Sequence, residues 1–405
     1  MTGVGRHSRD HALDALRGLA ALSILALHAL GVPGGTITGT AAGFYNVLLE
    51  GGLAVFFVLS GYLISGPFVR ALLDGTPMPT LRGYSLRRVT RIVPAYWLAF
   101  FVTAQVIATT RPGLPVSLGW GDGRLQAGDW LAAAFFVQNA LPSAAATGVL
   151  LVMWTLCVEI LFYATVPLLA VLAARRMRRA TPMRLGVAVV ALWAVCVLME
   201  VLLPTFEGWQ LGGNVGTWVW MQFMYLSVFC PGVLLAIART DTARQRWRVA
   251  LAWLGSRQVR DFGPLLVLAA ALCAYLVRRG GLTDLGLAQV AEWRRQPAAI
   301  AAAVLVAMAL TARGRSWALF ARVVAPLGTI SYGIYLYHWV VLRVLVDRHV
   351  YPLDVPGWAG LPAKVGLAIA LTLPLAALSY WVVERPAMRW AAGGSIRRAP
   401  ARRAA

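Results

Sequence analysis

Charge is scarce in this sequence. Asp, Glu, Lys and Arg make up 13% of its 405 residues while 59% are hydrophobic, too little polarity to clothe a soluble fold and typical of a chain that crosses a membrane many times. Acidic residues are the rarer sign, 16 against 37 Lys and Arg. The net charge of +21 does not mark a nucleic-acid partner, because the basic residues sit in short clusters between apolar runs instead of along one solvated face. Cysteine is equally sparse. Cys157, Cys196, Cys230 and Cys273 lie in separate apolar runs with no C-x-x-C pair, which supports neither a disulfide framework nor a zinc site and reads as four small buried side chains. No metal is expected. The G-x-S-x-G turn that exposes a serine nucleophile is missing, Ser60 sitting in LSGYL. No internal repeat is visible, and no small-residue cleavage site follows the first apolar run, so that run is expected to stay as a spanning helix.

What is present is a series of apolar runs about 20 residues long. They fall near 12–31, 46–68, 89–110, 151–174, 184–203, 217–238, 261–278, 297–312, 324–345 and 363–384, and they predict an all-α, polytopic transmembrane helix bundle of about ten spans. A shorter run from Asp129 to Pro142 reads as a re-entrant or interfacial segment. With both termini placed in the cytoplasm, about three quarters of the 37 Lys and Arg fall on the cytoplasmic side, the asymmetry that orients membrane proteins. Residues 1–390 are expected to form one transmembrane domain in a bacterial plasma membrane, and 391–405 a disordered basic cytoplasmic tail that touches anionic lipid. The pattern says nothing of oligomeric state.

Polar residues inside the spans stand out, since a charged group at the centre of a spanning helix costs about 3 kcal/mol on insertion scales. The run LRGLAALSILALH, Leu16 to His28, carries Arg17 and His28 eleven residues apart, roughly three helical turns, so both share one face about 16 Å apart. Asp14 lies one turn before Arg17 and is placed to pair with it. In LRRVTRIVPAYW, Leu86 to Trp97, Arg88 and Arg91 are one turn apart and suit a phosphate or pyrophosphate gripped by paired hydrogen bonds; membrane anchoring is the plain alternative. MWTLCVEILFY, Met153 to Tyr163, buries Glu159. A carboxylate there needs a cation or a proton, and Arg17 or an arginine of the third span is the expected cation. GTISYGIYLYHWVV, Gly328 to Val341, sets Ser331, Tyr332, Tyr335 and His338 on the ninth span, two turns separating Ser331 from His338, so that these could line one cavity. An aromatic belt would equally explain Tyr335 and Tyr337.

In this order the motifs resemble the acyltransferase-3 family of integral membrane O-acyltransferases, over nearly the whole chain. The likeness rests on LDALRGLAALSILALH with its arginine, ten residues, histidine spacing, on GGLAVFFVLSGYLIS, on the R-x-x-R of RRVTRIVPAYW, on WTLCVEILFY, on ISYGIYLYH, and on VERP with Glu384 and Pro386. Thr155 stands where the family commonly has serine, and the sequence reads as a stand-alone member without the extracytoplasmic hydrolase-like domain that many members carry.

The resemblance implies transfer of an acyl group, usually acetyl, from acetyl-CoA or another acyl-CoA. The acceptor would be a hydroxyl of a surface or lipid-linked glycan, or of a glycosylated or macrolide-type small molecule. By that analogy the CoA phosphates would sit at Arg88 and Arg91 with Arg17 deeper in, and the thioester would reach His28. An uncharged His28 imidazole could take the proton of the attacking hydroxyl or itself accept the acyl group, and the sequence leaves both open. Arg17 is expected to stabilise developing negative charge and Glu159 to orient or pair, while Tyr332, His338, Ser331 and Trp154 are expected to bind the acceptor. The rival from another class is a secondary transporter that moves a solute past intramembrane Arg, His and Glu.

Overall fold

The structure is a computed structural model that describes residues 4–31, 39–109, 127–138, 152–177, 180–202, 215–246, 295–311, 315–348, 350 and 357–396. Among the described residues the chain is helical, without strands. In order run α1 (Val4–Gly31), α2 (Gly39–Asp74), α3 (Leu81–Thr109), α4 (Ala127–Ala134), α5 (Trp154–Arg176), α6 (Pro182–Leu202) and α7 (Val215–Ala238). These are followed by α8 (Asp241–Arg246), α9 (Arg295–Thr311), α10 (Arg315–Thr329), α11 (Ser331–Asp347), α12 (Gly357–Ser379) and α13 (Arg385–Ile396). One π-helical turn, Tyr380–Glu384, joins the last two.

Six stretches are long and apolar enough to cross a bilayer, in α1, α2, α3, α5, α6 and the continuous α12–α13 run, and there are up to seven if α10 and α11 form one bent span. Shorter apolar stretches occupy α7 (Phe223–Ala238) and α9 (Arg295–Thr311). The all-α, polytopic expectation therefore stands, while the described residues do not carry the count to ten. The run expected at 261–278 lies outside the described residues. Lipid-facing surface is apolar: Phe135, Val323, Leu378 and Trp390 are exposed, as a bilayer and not water requires. Cys157, Cys196 and Cys230 are buried; Cys273 lies outside the described residues.

Three places differ from the sequence reading. The run at 324–345 is not one straight helix, since α10 and α11 meet at 58°. Pro326 lacks an N–H, the Ile330 N–H reaches the Pro326 carbonyl at 3.4 Å, and the Ser331 hydroxyl donates to the Gly328 carbonyl at 2.8 Å. That hydroxyl serves a carbonyl at the break in the ladder. The segment beginning at Asp129 forms α4, whose eight residues span only about 12 Å. It is pinned to α3 by Tyr96 Oη and Trp97 Nε1, which donate to the Ala133 and Ala134 carbonyls at 3.0 and 3.2 Å; residues 139–142 lie outside the described residues. Finally, α13 stays helical to Ile396, past the point where a disordered tail was expected, and 397–405 lie outside the described residues.

Helix α1 is the axis of the bundle. It packs against α2, α9, α10, α11 and α12, most extensively against α10. Close approach there depends on glycine: a Cβ on Gly328 would fall onto the backbone of Asp14, and one on Gly18 would come within 2.6 Å of Leu327 Cβ. Small residues of this kind let membrane helices meet backbone to backbone. The same turn of α1 carries Arg17, so this crossing also fixes a candidate site side chain. Gly328→Val should force the helices apart and lower stability by about 1–3 kcal/mol. By contrast, Gly366→Ala, where nothing lies within 4 Å of the added methyl, should leave stability unchanged. Thermal unfolding of the detergent-solubilised protein compares the two.

Candidate active site

Five helices converge on a cavity of about 780 Å³, its open mouth included. Arg17 enters from α1, Ser60 from α2, Arg88 and Arg91 from α3, Glu159 and Tyr163 from α5, and Ser331 and Tyr332 from α11. The helical period explains the arginine pair: Arg88 and Arg91 are half-buried on the cavity side while Arg87 is exposed. The Arg88 guanidinium lies over the rings of Tyr84 and Tyr163, 5.7 and 5.4 Å from their centroids, a cation–π seat that replaces lost water. Arg17 reaches Asp14 at 3.9 Å. Glu159 accepts from the Ser60 hydroxyl at 2.9 Å and from the Tyr163 hydroxyl at 2.6 Å, both at Oε1. Its direct partners among the described residues are thus two hydroxyls, with the arginines across the cavity.

A second cavity, about 1000 Å³ with its opening, is lined by His28, Trp154, Tyr225 and Arg295 among mostly apolar side chains. Leu53, Phe57, Thr155 and Tyr335 line both cavities and so form the wall between them. The wall is held by hydroxyls. Tyr335 Oη lies 2.6 Å from Thr155 Oγ1 and also bonds to the Val152 carbonyl, tying α11 to the start of α5.

His28 and His338 form a pair whose tautomers follow from their partners. His338 is fully buried, its Nδ1 lies 3.0 Å from the Ile334 carbonyl, and its Nε2 lies 3.1 Å from His28 Nδ1. A carbonyl only accepts, so His338 Nδ1 carries hydrogen and the neutral ring offers Nε2 as an acceptor. His28 Nδ1 faces two acceptors, that nitrogen and the Ile24 carbonyl at 3.0 Å, and therefore carries hydrogen as well. The His28 Nε2 is left with its lone pair on a residue that lines the second cavity. Trp339 packs edge-on against the His28 ring, centroids 5.5 Å apart.

This arrangement sorts the expected site residues into two groups. Arg17, Arg88, Arg91 and Glu159 come together as expected, and His28 and Trp154 share the other cavity. Arg17 and Glu159 line the cavity that His28 does not. Ser331 and Tyr332 line the arginine cavity instead of the one with His28, because α11 begins at the bend. His338 lies behind His28 and lines neither cavity. Sequence reasoning missed Ser60 as a partner of Glu159, Tyr335 as part of a wall, and Arg295 altogether. Only Arg295 left a signal, an arginine at the start of an apolar run. Among the described residues no three His, Cys, Asp or Glu side chains converge as a metal site requires.

Comparison with known proteins adds to this geometry. The chain is 26% identical over 417 residues to "Nodulation protein 10" of Rhizobium leguminosarum bv. viciae, covering 95% of each chain. It is 25% identical over 398 residues to "Putative peptidoglycan O-acetyltransferase YrhL" of Bacillus subtilis (strain 168), covering 92% of this chain and 54% of that one. No solved structure matches. The profile of the family described as "Acyltransferase domain" matches residues 10–381, and so takes in both cavities and the wall between them. The chain belongs to the acyltransferase-3 family and is a membrane acyltransferase.

Proposed function

We infer that the protein moves an acyl group, acetyl by preference, from acyl-CoA to a hydroxyl of a glycan, glycolipid or other polyol at a bacterial plasma membrane. The observation that carries this reading is the shared wall: three guanidiniums face one cavity, a lone-pair imidazole nitrogen belongs to the other, and four side chains separate them. The donor occupies the first cavity. Arg88 and Arg91 hold the phosphates through charge-assisted hydrogen bonds, Arg17 adds positive charge deeper in, and the thioester arm passes Tyr335, which lines both cavities, so that its carbonyl carbon reaches the His28 side. This cavity opens to the cytoplasm, where acyl-CoA is made. Glu159 keeps the arginine cluster from being uniformly positive, and the Ser60 and Tyr163 hydroxyls hold its orientation.

The acceptor enters the second cavity. Its hydroxyl gives a proton to His28 Nε2 as the oxygen attacks the thioester carbonyl carbon. The C–O bond forms, the C–S bond breaks, and the departing CoA sulfur recovers the proton from the imidazolium. The neutral Nδ1–H tautomer, fixed by Ile24 and His338, suits this base role. His338 acts through His28 and is a positioning residue. The resemblance to a protein named for peptidoglycan O-acetylation supports a glycan acceptor.

Thiol release from acetyl-CoA tests the reading. His28→Ala should lower kcat at least about 100-fold, the contribution expected of a positioned base, and undiminished release in that variant overturns the mechanism. Arg88→Gln and Arg91→Gln should each raise KM for acetyl-CoA about tenfold, equivalent to roughly 1.4 kcal/mol, with a smaller effect on kcat. His338→Phe, which removes one of the two acceptors for His28 Nδ1 and leaves the Ile24 carbonyl, should lower kcat about 10- to 100-fold with KM for acetyl-CoA unchanged. His338→Gln can place an amide oxygen there and should recover much of the loss, an outcome that simple packing damage would not give.

A further inference from the structure

One charged side chain in the His28 cavity has no part in the chemistry above. Arg295 opens α9 and lines this cavity, and behind it lies a polar network built from three helices. Its Nη1 sits 3.5 Å from Glu200 Oε1 on α6, where the carboxylate side chain is 1% exposed and the arginine side chain 19%. The neighbouring Gln296 donates to Glu200 Oε2 at 3.3 Å and to Ser227 Oγ of α7 at 2.9 Å, and accepts from Trp193 Nε1 of α6 at 2.8 Å. The carboxylate is therefore sealed inside the protein and the guanidinium is the member that reaches open space.

The surroundings state what this guanidinium can take. Its Cζ lies 5.4 Å over the Tyr225 ring, and the Tyr225 and Trp154 rings are 4.8 Å apart, both on the cavity wall. Beside them Leu27, Leu53, Val228 and Ala298 give an apolar face. The nearby carboxylate cancels the charge of the arginine, so the corner offers N–H donors without net attraction for an anion. Such a site suits an oxygen-rich, uncharged ring that packs beside these aromatic side chains and carries a hydrocarbon portion against the apolar wall.

We propose that Arg295, positioned by Glu200 and Gln296 and flanked by Trp154 and Tyr225, is the acceptor-recognition site, and that it selects an amphipathic compound with a neutral polyhydroxyl head. The proposal rests on the placement of the acceptor in the His28 cavity, but its test does not need turnover. Ala298, one turn from Arg295 and on the same cavity wall, is replaced by cysteine, and the protein is held in lipid nanodiscs. Labelling of the peptide carrying position 298 with N-ethylmaleimide is followed by mass spectrometry, with octyl glucoside added below its micellar concentration.

Octyl glucoside should protect Cys at this position, octanol should protect at least tenfold less well, and octyl glucuronide no better than the neutral glycoside. In the same background Arg295→Gln should raise the half-protecting concentration at least tenfold. The paired change Arg295→Gln with Glu200→Gln, which leaves no buried charge unmatched, should do the same in a protein that elutes as the parent does. Equal protection by octanol, tenfold better protection by the glucuronide, no protection by the glucoside, or an unshifted paired variant each overturns the proposal. Acetyl-CoA consumption by the parent protein is measured separately, so failure of the transfer reading shows as absent thiol release whatever the labelling gives.

Discussion

A polar side chain within the hydrocarbon thickness of a membrane has no water to fall back on, and this constraint organises the whole bundle. Several polar side chains in the bundle are matched by groups from a different helix. Glu159 of α5 takes hydroxyls from α2 and from its own helix, the Arg88 guanidinium of α3 rests on a ring from α5, and Glu200 of α6 is met by Arg295 and Gln296 of α9. The Tyr332 hydroxyl of α11 reaches the Ile92 carbonyl of α3 at 3.0 Å. Such pairings define which helix faces which, since apolar contact alone discriminates poorly when lipid tails are as apolar as leucine. The candidate site groups are the ends of these pairings that line the cavities.

The wall between the two cavities has a chemical consequence. A thioester beside bulk water is open to hydrolysis, and an arginine cluster open to solvent holds phosphates poorly against salt. Leu53 and Phe57 are apolar, and the two hydroxyls between them, of Thr155 and Tyr335, are bonded to each other and to the Val152 carbonyl. The wall thus presents little that would order a water next to the reacting carbon, and a dry site strengthens every electrostatic contact within it. On the proposed reading, this wall separates a cavity lined by three guanidiniums from one lined by an uncharged imidazole. A guanidinium adjacent to His28 Nε2 would oppose formation of the imidazolium, and Arg17 is kept about three helical turns away.

Much of this was readable from sequence where the relation is local. The pairing of Arg17 with Asp14, the shared face of Arg88 and Arg91, and the partial burial of Glu159 follow from the 3.6-residue period and the apolar setting. Long-range relations were not. His338 meets His28 across 310 residues, and Ser60 meets Glu159 across 99; no spacing rule reaches so far. Arg295 stands at the start of an apolar run, and its meaning depends on Glu200, 95 residues earlier. The bend at Ile330 did leave a trace, since Pro326, Gly328 and Ser331 crowd into six residues, but a window of 20 apolar residues averages over such a break.

Helix α1 is where the two halves of the site meet, and its rigidity matters more than its composition. Gly328 presses α10 onto α1 beside Asp14 at one end, and Gly52 brings α2 close enough that an added Cβ would sit 2.7 Å from the Ala20 carbonyl. Held on two sides, the helix cannot slide, so Arg17 and His28 keep a separation of roughly 16 Å and a common face. The apolar residues between them are interchangeable at small cost so long as their volume is kept. Their number is not. One residue added between Arg17 and His28 would turn the imidazole about 100° around the axis, away from His338 and Trp339, while leaving the composition of the span almost untouched. What the first helix specifies is a count of residues, and the wall, the tautomer and the arginine cluster take their places from that count.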